Sequence, residues 1–117
     1  MGSEGASTLL DKVWRQRVVT ATEDGRSLLW IDRHFVHEGS HHAFDSVRKR
    51  GGSVARPDLT FGVADHYAPT SPRGQPIADA SVATMVEKLS ANSAAQAFRL
   101  FGLDDQAQGI VHVVAPE

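Results

Sequence analysis

Apolar positions along this chain follow two spacings, one typical of amphipathic helices and one typical of short buried strands. The first helical spacing begins after Thr8, and Asp11 stands three positions later, where a capping box places an acidic group. We therefore predict a short amphipathic helix from Thr8 to about residue 16. Trp14 is expected to anchor this helix in the core.

Three short apolar runs predict buried strands, because each is bounded by turn-forming residues. They cover residues 28–31, 59–64 and 108–117. The last run contains one histidine, His112. A histidine in an apolar strand is more often a satisfied core residue than a catalytic one.

Two longer helical patterns lie between these runs. Residues 41–50 carry an apolar stripe that ends at a glycine pair, and Ser40 is placed as their N-cap. Residues 77–101 form the longest helical pattern, which Gly102 ends, although Ser93 is placed to cap a second helix within it. Helices that alternate with short buried strands predict an α/β fold.

The length of 117 residues suits one small domain or part of one. Residues 1–7 are small and polar and predict a disordered tail, so that 8–117 form the folded segment. A terminal strand in an α/β domain normally precedes or follows the helix that covers it, and here the last predicted strand has no such helix after it. We expect a partial α/β/α domain with an incomplete sheet.

Composition excludes several classes of function. A net charge of -2 and a pI near 6.3 leave no basic surface for nucleic acid or for an anionic membrane. The absence of cysteine excludes a disulfide framework, a thiol nucleophile, cysteine-ligated zinc and an iron-sulfur cluster held by this chain alone. No apolar run suits a membrane span or a signal peptide, so a cytoplasmic location is the expectation.

The dipeptide Asp65-His66 follows the predicted strand 59–64, at a position where α/β proteins often carry chemistry. A carboxylate beside an imidazole can fix its tautomer, raise its basicity and orient it toward a ligand. The simpler alternative is that Asp65 is a turn residue and His66 a half-exposed strand end. The dipeptide alone leaves both interpretations open.

Four of the six histidines fall between His34 and His42. The letters from His37 to His41 spell H-E-x-x-H, the zinc protease pattern, but Gly39 and Ser40 would break the helix that this pattern needs. We therefore predict no zinc protease and no metal ligand here. A ligand-binding role for one or two of these histidines and an ordinary surface or capping role both stay open.

Stretches along nearly the whole chain resemble, in the same order, the beginning of the large subunits of the 3-isopropylmalate dehydratases, which belong to the aconitase family. The matching stretches are TLLDKVW (8–14), LWIDRHFVHE (29–38), AFD (43–45), RPDLTF (56–61), DH (65–66) with PT (69–70), and QGIVHV (108–113) with PE (116–117). The resemblance implies a hydro-lyase that removes water from a hydroxy-dicarboxylate and adds it back at the neighbouring carbon. It also implies a [4Fe-4S] cluster in the complete enzyme, with none bound by this cysteine-free chain alone.

The resemblance also implies roles for individual residues. Asp65 and His66 match the family's Asp-His pair, whose histidine lies near the departing hydroxyl group. His112 matches a second active-site histidine. The candidate substrate-binding residues are Arg33, His41 and His42.

Two departures from the family pattern bear on function. Leucine-pathway enzymes carry Ser-Pro-Gln before the Ala-Phe pair, where this chain has His41 and His42, so the substrate is either isopropylmalate or a related hydroxy acid. The cysteines that hold the cluster lie, in the family, beyond the part that this chain resembles. We therefore expect the N-terminal segment of a large subunit, whose partners are the remainder of that subunit, the small subunit and a hydroxy-dicarboxylate substrate.

A hypothesis from another class is a stand-alone domain without a cluster, which binds a carboxylate ligand or a protein partner without catalysis. An exposed apolar face would make such a domain associate with itself or with a partner.

Overall fold

The computed structural model describes residues 5–72, 74–110 and 114–116. The chain forms two compact units, Met1–Asp32 and Arg33–Glu117. Both units contain a helix and short strands, and in the second unit helices and strands alternate, which confirms the α/β class.

The first unit contains helix α1 (Leu9–Arg17) and a hairpin of two antiparallel strands, β1 (Val18–Ala21) and β2 (Ser27–Leu29). The capping box predicted for α1 is confirmed. The Asp11 N–H donates to Thr8 Oγ1 at 3.1 Å, and the Thr8 N–H donates to the Asp11 carboxylate at 2.9 Å. Two of the unpaired N–H groups at the start of the helix are thereby satisfied.

Two expectations for this unit are wrong. Trp14 is 45% exposed and does not anchor a core, and the strand predicted as buried over 28–31 contributes only its first two residues to β2. Leu28, Trp30 and Ile31 each expose more than half of their surface. A two-stranded hairpin has no further sheet layer of its own to cover a face, so its apolar residues stay in solvent.

The second unit is built on a parallel sheet with the strand order β3-β4-β5. These strands are β3 (His34–Val36), β4 (Thr60–Val63) and β5 (Arg99–Phe101). The central strand β4 is largely buried, which confirms the strand predicted over 59–64. β3 and β5 were not predicted, because β3 starts with an exposed histidine and β5 lies inside a stretch whose spacing indicated helix.

Helices α2 (His41–Lys49) and α3 (Ala80–Gln96) connect these strands. α2 confirms the second predicted helix, but Ser40 does not cap it, because its hydroxyl accepts the N–H of His37 at 3.1 Å instead. α3 is one continuous helix and is shorter than predicted. It ends where Ala97 adopts the left-handed conformation, with φ 59°.

The core of the second unit lies between the sheet and its two helices. Its buried members are Val36, Phe44, Ala64, Leu89 and Phe98. The ring of Phe44 on α2 stacks on Phe98 with 5.4 Å between centroids. The buried Ser93 hydroxyl on α3 donates to the Phe98 carbonyl at 2.8 Å, so the end of the helix is tied to the start of β5.

The strand predicted over 108–117 falls partly outside the described residues, which omit 111–113 and 117. The described residues on either side of 111–113 are not in a strand. The Val114 N–H donates to the Ile110 carbonyl at 3.1 Å.

Candidate functional site

Two dipeptides that carry ionisable groups meet at one edge of the parallel sheet. His37 and Glu38 directly follow β3, while Asp65 and His66 follow β4 after Ala64. Because β3 and β4 are parallel neighbours, their carboxyl ends point the same way. Ligands of open α/β sheets bind at this edge.

Glu38 is completely buried at this edge. Its Oε2 accepts the N–H of His66 at 3.1 Å, and its Oε1 accepts the N–H of Tyr67 at 3.3 Å. A buried carboxylate needs such partners, because an unpaired one is costly to desolvate. The side chain from the end of β3 therefore holds the backbone that follows β4.

The rings of His37 and His66 lie face to face, with 3.8 Å between centroids and 10° between planes. The N–H of Gly39 donates to His37 Nδ1 at 3.0 Å. Because Nδ1 accepts, neutral His37 carries its proton on Nε2. The orientation of the His37 ring is thus set by its own backbone.

Asp65 and His66 also face each other through their side chains. Asp65 Oδ2 lies 3.6 Å from His66 Nδ1, which is ion-pair distance and longer than a hydrogen bond. The Asp65 side chain is 10% exposed and that of His66 is 56% exposed. With Nδ1 turned toward Asp65, Nε2 is the nitrogen that His66 offers to a ligand.

His41, His42 and Asp45 form a separate group in the first turns of α2. His41 lines a cavity of about 260 Å³ between α2 and α3, and its buried Nδ1 has no hydrogen-bond partner in the part of the chain that the structure describes. Partial desolvation acts to raise the pKa of Asp45, but the nearby cations, Arg48 first, outweigh it and the pKa is lowered.

Comparison with protein-family models identifies the family of this chain. The model of the aconitase family (aconitate hydratase) matches residues 11–117. The chain belongs to the aconitase family. No solved structure matches it.

The cofactor that the aconitase family implies can be tested against the residues present. A [4Fe-4S] cluster is held by cysteine thiolates, and this sequence has none. Beside His66, both oxygens of Glu38 already accept backbone N–H groups and His37 Nδ1 accepts another, so these atoms do not replace the missing thiolates. The residues of this chain do not fit a cluster.

The H-E-x-x-H letters of this aconitase-family chain do not adopt the helical geometry of a zinc protease motif. Glu38–Ser40 form a single 3₁₀ turn instead of the middle of an α-helix. His37 falls in a group with Glu38 and His66, whereas His41 falls in the group on α2. The four-residue spacing of His37 and His41 therefore does not bring the two imidazoles to one site.

The remaining predicted site residues are distributed around the unit. Arg33 is exposed and precedes β3, so it lies at the opposite end of that strand from His37 and Glu38. His112 lies outside the described residues. The structure thus brings Asp65 and His66 together, pairs His41 with His42 on α2, and leaves Arg33 apart from both groups.

The loop after His66 forms part of a larger cavity of about 540 Å³. Pro69, Ser71 and Pro72 line one side, and α3 contributes Glu87. Asp104 also lines this cavity, so its wall is acidic among the described residues and suits an anionic substrate poorly.

Sequence reasoning did not find the contacts that Glu38 and His37 make with His66. The available signal was that each of two strands ends in a dipeptide with one histidine and one acidic residue. Using it required knowledge that β3 exists and that it pairs in parallel with β4. In the part of the chain that the structure describes, no helix is long and apolar enough to cross a membrane.

Proposed function

We propose that this chain is the N-terminal segment of the large subunit of a hydro-lyase of the 3-isopropylmalate dehydratase type. Such an enzyme interconverts 2-isopropylmalate and 3-isopropylmalate, or a related hydroxy-dicarboxylate, by dehydration and rehydration, and would act in leucine biosynthesis in the cytoplasm. Membership of the aconitase family supports the reaction class. The observation that carries the proposal is the Asp65-His66 pair at the carboxyl edge of the sheet.

In this proposal His66 gives a proton to the departing hydroxyl group of the substrate. Hydroxide is a poor leaving group, so the carbon-oxygen bond breaks more easily when a general acid turns the hydroxide into water. Asp65 faces Nδ1 and stabilises the charged ring, which leaves Nε2 for the substrate. A proton on the neighbouring carbon is taken by a base other than this pair.

The proposal also assigns the substrate contacts. Arg33, His41 and His42 are proposed to contact the carboxylates of the substrate, and His112 to act as a second catalytic histidine. Arg33 and His112 lie in stretches that resemble the family, and His41 and His42 occupy the place of the family's Ser-Pro-Gln; these positions support the four roles. The remainder of the large subunit and the small subunit are the proposed protein partners.

The test is turnover by the assembled enzyme, made from the complete large-subunit gene and the small-subunit gene. Formation of the unsaturated intermediate from 3-isopropylmalate is followed by ultraviolet absorbance. His66→Ala should lower kcat by about 10²- to 10⁴-fold, the usual contribution of a general acid. His34→Ala, which removes an exposed histidine from the other end of β3, serves as the matched control and should keep full activity. Wild-type-like turnover by His66→Ala would refute the proposal.

A second candidate is a stand-alone domain that binds a carboxylate ligand or a protein partner without catalysis. One observation favours it: the first unit exposes many large apolar side chains. The exposed side chains are Leu9, Leu10, Val13, Trp14, Val19, Leu28, Trp30 and Ile31. The intact mass of the native gene product separates the candidates, because a mass near 12.6 kDa supports the second and a mass several times larger supports the first.

A further inference from the structure

We propose that His37 and Glu38 are positioning residues for His66, with Glu38 acting on its backbone and His37 on its ring. This inference rests on the proposed role of His66 as the proton donor. A general acid must be held close to its productive geometry, because small misplacements reduce proton transfer strongly. His66 needs such support, since it lies in a loop and its side chain is 56% exposed.

Glu38 fixes the backbone at His66. Its two carboxylate oxygens accept the N–H groups of His66 and Tyr67, at 3.1 and 3.3 Å, and the side chain that makes these contacts is wholly excluded from water. Hydrogen bonds to a charged group are among the strong ones. The first turn of the loop after β4 is therefore attached to the end of β3.

His37 fixes the ring of His66. The two imidazoles are nearly parallel, with 3.8 Å between their centroids. The His37 ring cannot turn freely, because its Nδ1 accepts the Gly39 N–H at 3.0 Å. His66 is thus confined between the His37 ring on one face and the carboxylate of Asp65, 3.6 Å from its Nδ1.

Gly39 makes the position of the His37 ring possible. A Cβ atom at residue 39 would lie 2.7 Å from Cε1 and 3.3 Å from Nδ1 of His37. The first distance is far inside van der Waals contact, so any side chain at residue 39 pushes the His37 ring from its place. Gly39→Ala therefore disturbs the stack without changing either histidine or Glu38.

The backbone contact is tested by amide hydrogen exchange on the 117-residue chain. In Glu38→Gln one acceptor oxygen becomes an NH₂ donor that faces a backbone N–H, so the His66 and Tyr67 amides should exchange on the order of 10- to 100-fold faster. The amides of Leu89 and Phe98 in the core report whether the variant is folded. Unchanged exchange at His66 and Tyr67 in a folded variant overturns the proposal.

The ring contact is tested by the NMR shifts of the His66 ring protons, which a stacked ring moves upfield. His37→Phe keeps an aromatic ring in the stack, whereas His37→Asn keeps only an acceptor for the Gly39 N–H. We expect wild-type-like shifts in His37→Phe, and downfield shifts in His37→Asn and Gly39→Ala. His34→Ala is the control and should change nothing. Equal His66 shifts in His37→Phe and His37→Asn overturn the proposal, and this comparison holds even if Glu38→Gln fails to fold.

A final comparison separates this inference from the proposed function. In the assembled enzyme, His37→Asn and Glu38→Gln should lower kcat at least tenfold with little change in KM, and His37→Phe should recover most of the loss. If the wild-type enzyme turns over no hydroxy-dicarboxylate, the proposed function fails while the NMR results still decide the geometry. If the variants turn over like the wild type, the positioning roles fail while the proposed function stands.

Discussion

Gly62→Ala tests how tightly the central strand is packed beneath the candidate site. Gly62 lies in β4 between β3 and β5, three residues before Asp65. A Cβ atom at this position would lie 2.9 Å from Phe98 Cε2 and 3.0 Å from Leu100 Cδ1. Phe98 is 5% exposed, so its ring has little room to withdraw.

The expected loss follows from these two contacts. Inserting a methyl group into a packed core typically costs about 1–3 kcal/mol. Leu100 is half-buried and can move its methyl group, whereas the Phe98 ring is held against Phe44, so we expect about 2 kcal/mol. With a urea m-value of about 1–3 kcal/mol/M for a small protein, the unfolding midpoint should fall by roughly 1 M.

Urea unfolding followed by far-ultraviolet circular dichroism is the suitable assay, because α2 and α3 belong to the same unit as Gly62. Tryptophan fluorescence would report on the other unit, where both tryptophans, Trp14 and Trp30, lie. Gly52→Ala is the matched control. Its Cβ would lie no closer than 3.6 Å to any atom outside its chain neighbours, so this change should be neutral or slightly stabilising.

A double variant separates packing strain from other causes. Leu100→Ala removes one of the two obstructing groups, so Gly62→Ala should cost less free energy of unfolding in that background than in the wild type. The reasoning is refuted if Gly62→Ala unfolds at the same urea concentration as Gly52→Ala. It is also refuted if the two losses in the double variant simply add.

Three further predictions concern stability. Ala97→Gly should raise the free energy of unfolding by about 1 kcal/mol in a urea titration, because Ala97 has φ 59° and only glycine adopts this region without strain. Phe44→Ala should lower it by about 3–5 kcal/mol and Phe44→Leu by clearly less, since the 4% exposed ring fills the core beside Phe98. Asp79 caps α3, and its hydrogen bonds from the Ser81 hydroxyl and from the Ser81 and Val82 N–H groups lower its pKa from 3.8. The pKa of Asp79 is lower in the folded state than in the unfolded state, so the cap stabilises the protein fully above about pH 4. This stabilisation is lost as the pH falls through the folded-state pKa. Asp79→Asn should therefore make the free energy of unfolding depend less on pH in acid.

Features that depend on neighbours along the chain were predictable from the sequence. The capping box at Thr8 and the extent of α2 each follow from residues within one turn of each other. Strand β4 was also predictable, because its apolar run is short and bounded by turn-forming residues. These are interactions that a local pattern of residues determines.

Features that depend on tertiary contacts were not predictable. Phe98 and Phe101 continue the helical spacing of α3, yet the left-handed residue Ala97 ends the helix and the chain turns into β5. Ser93 suggested a cap by its residue type, but its hydroxyl is buried and donates to Phe98. β5 is a strand because it hydrogen-bonds to β4, and no pattern within its own three residues predicts that pairing.

In the candidate site, too, one part was predictable from local sequence and another depends on tertiary contacts. Asp65 and His66 became candidates because a carboxylate and an imidazole follow a buried strand, which is a local pattern, and the family resemblance then implied their catalytic role. The involvement of Glu38 depends on the parallel pairing of β3 with β4, since only that pairing brings its carboxylate to the N–H groups of His66 and Tyr67. Glu38 and His66 are 28 residues apart in the sequence, and no local sequence pattern predicts a contact over that separation.

The same geometry explains why the H-E-x-x-H letters do not indicate zinc chemistry here. In a zinc protease the helix turns a spacing of four residues into two imidazoles on one face, and the glutamate keeps a free oxygen to act as a base. Here the residues between His37 and His41 form a 3₁₀ turn, and both Glu38 oxygens accept backbone N–H groups. The letters are those of a catalytic motif, but the hydrogen bonds of Glu38 assign it to the support of His66.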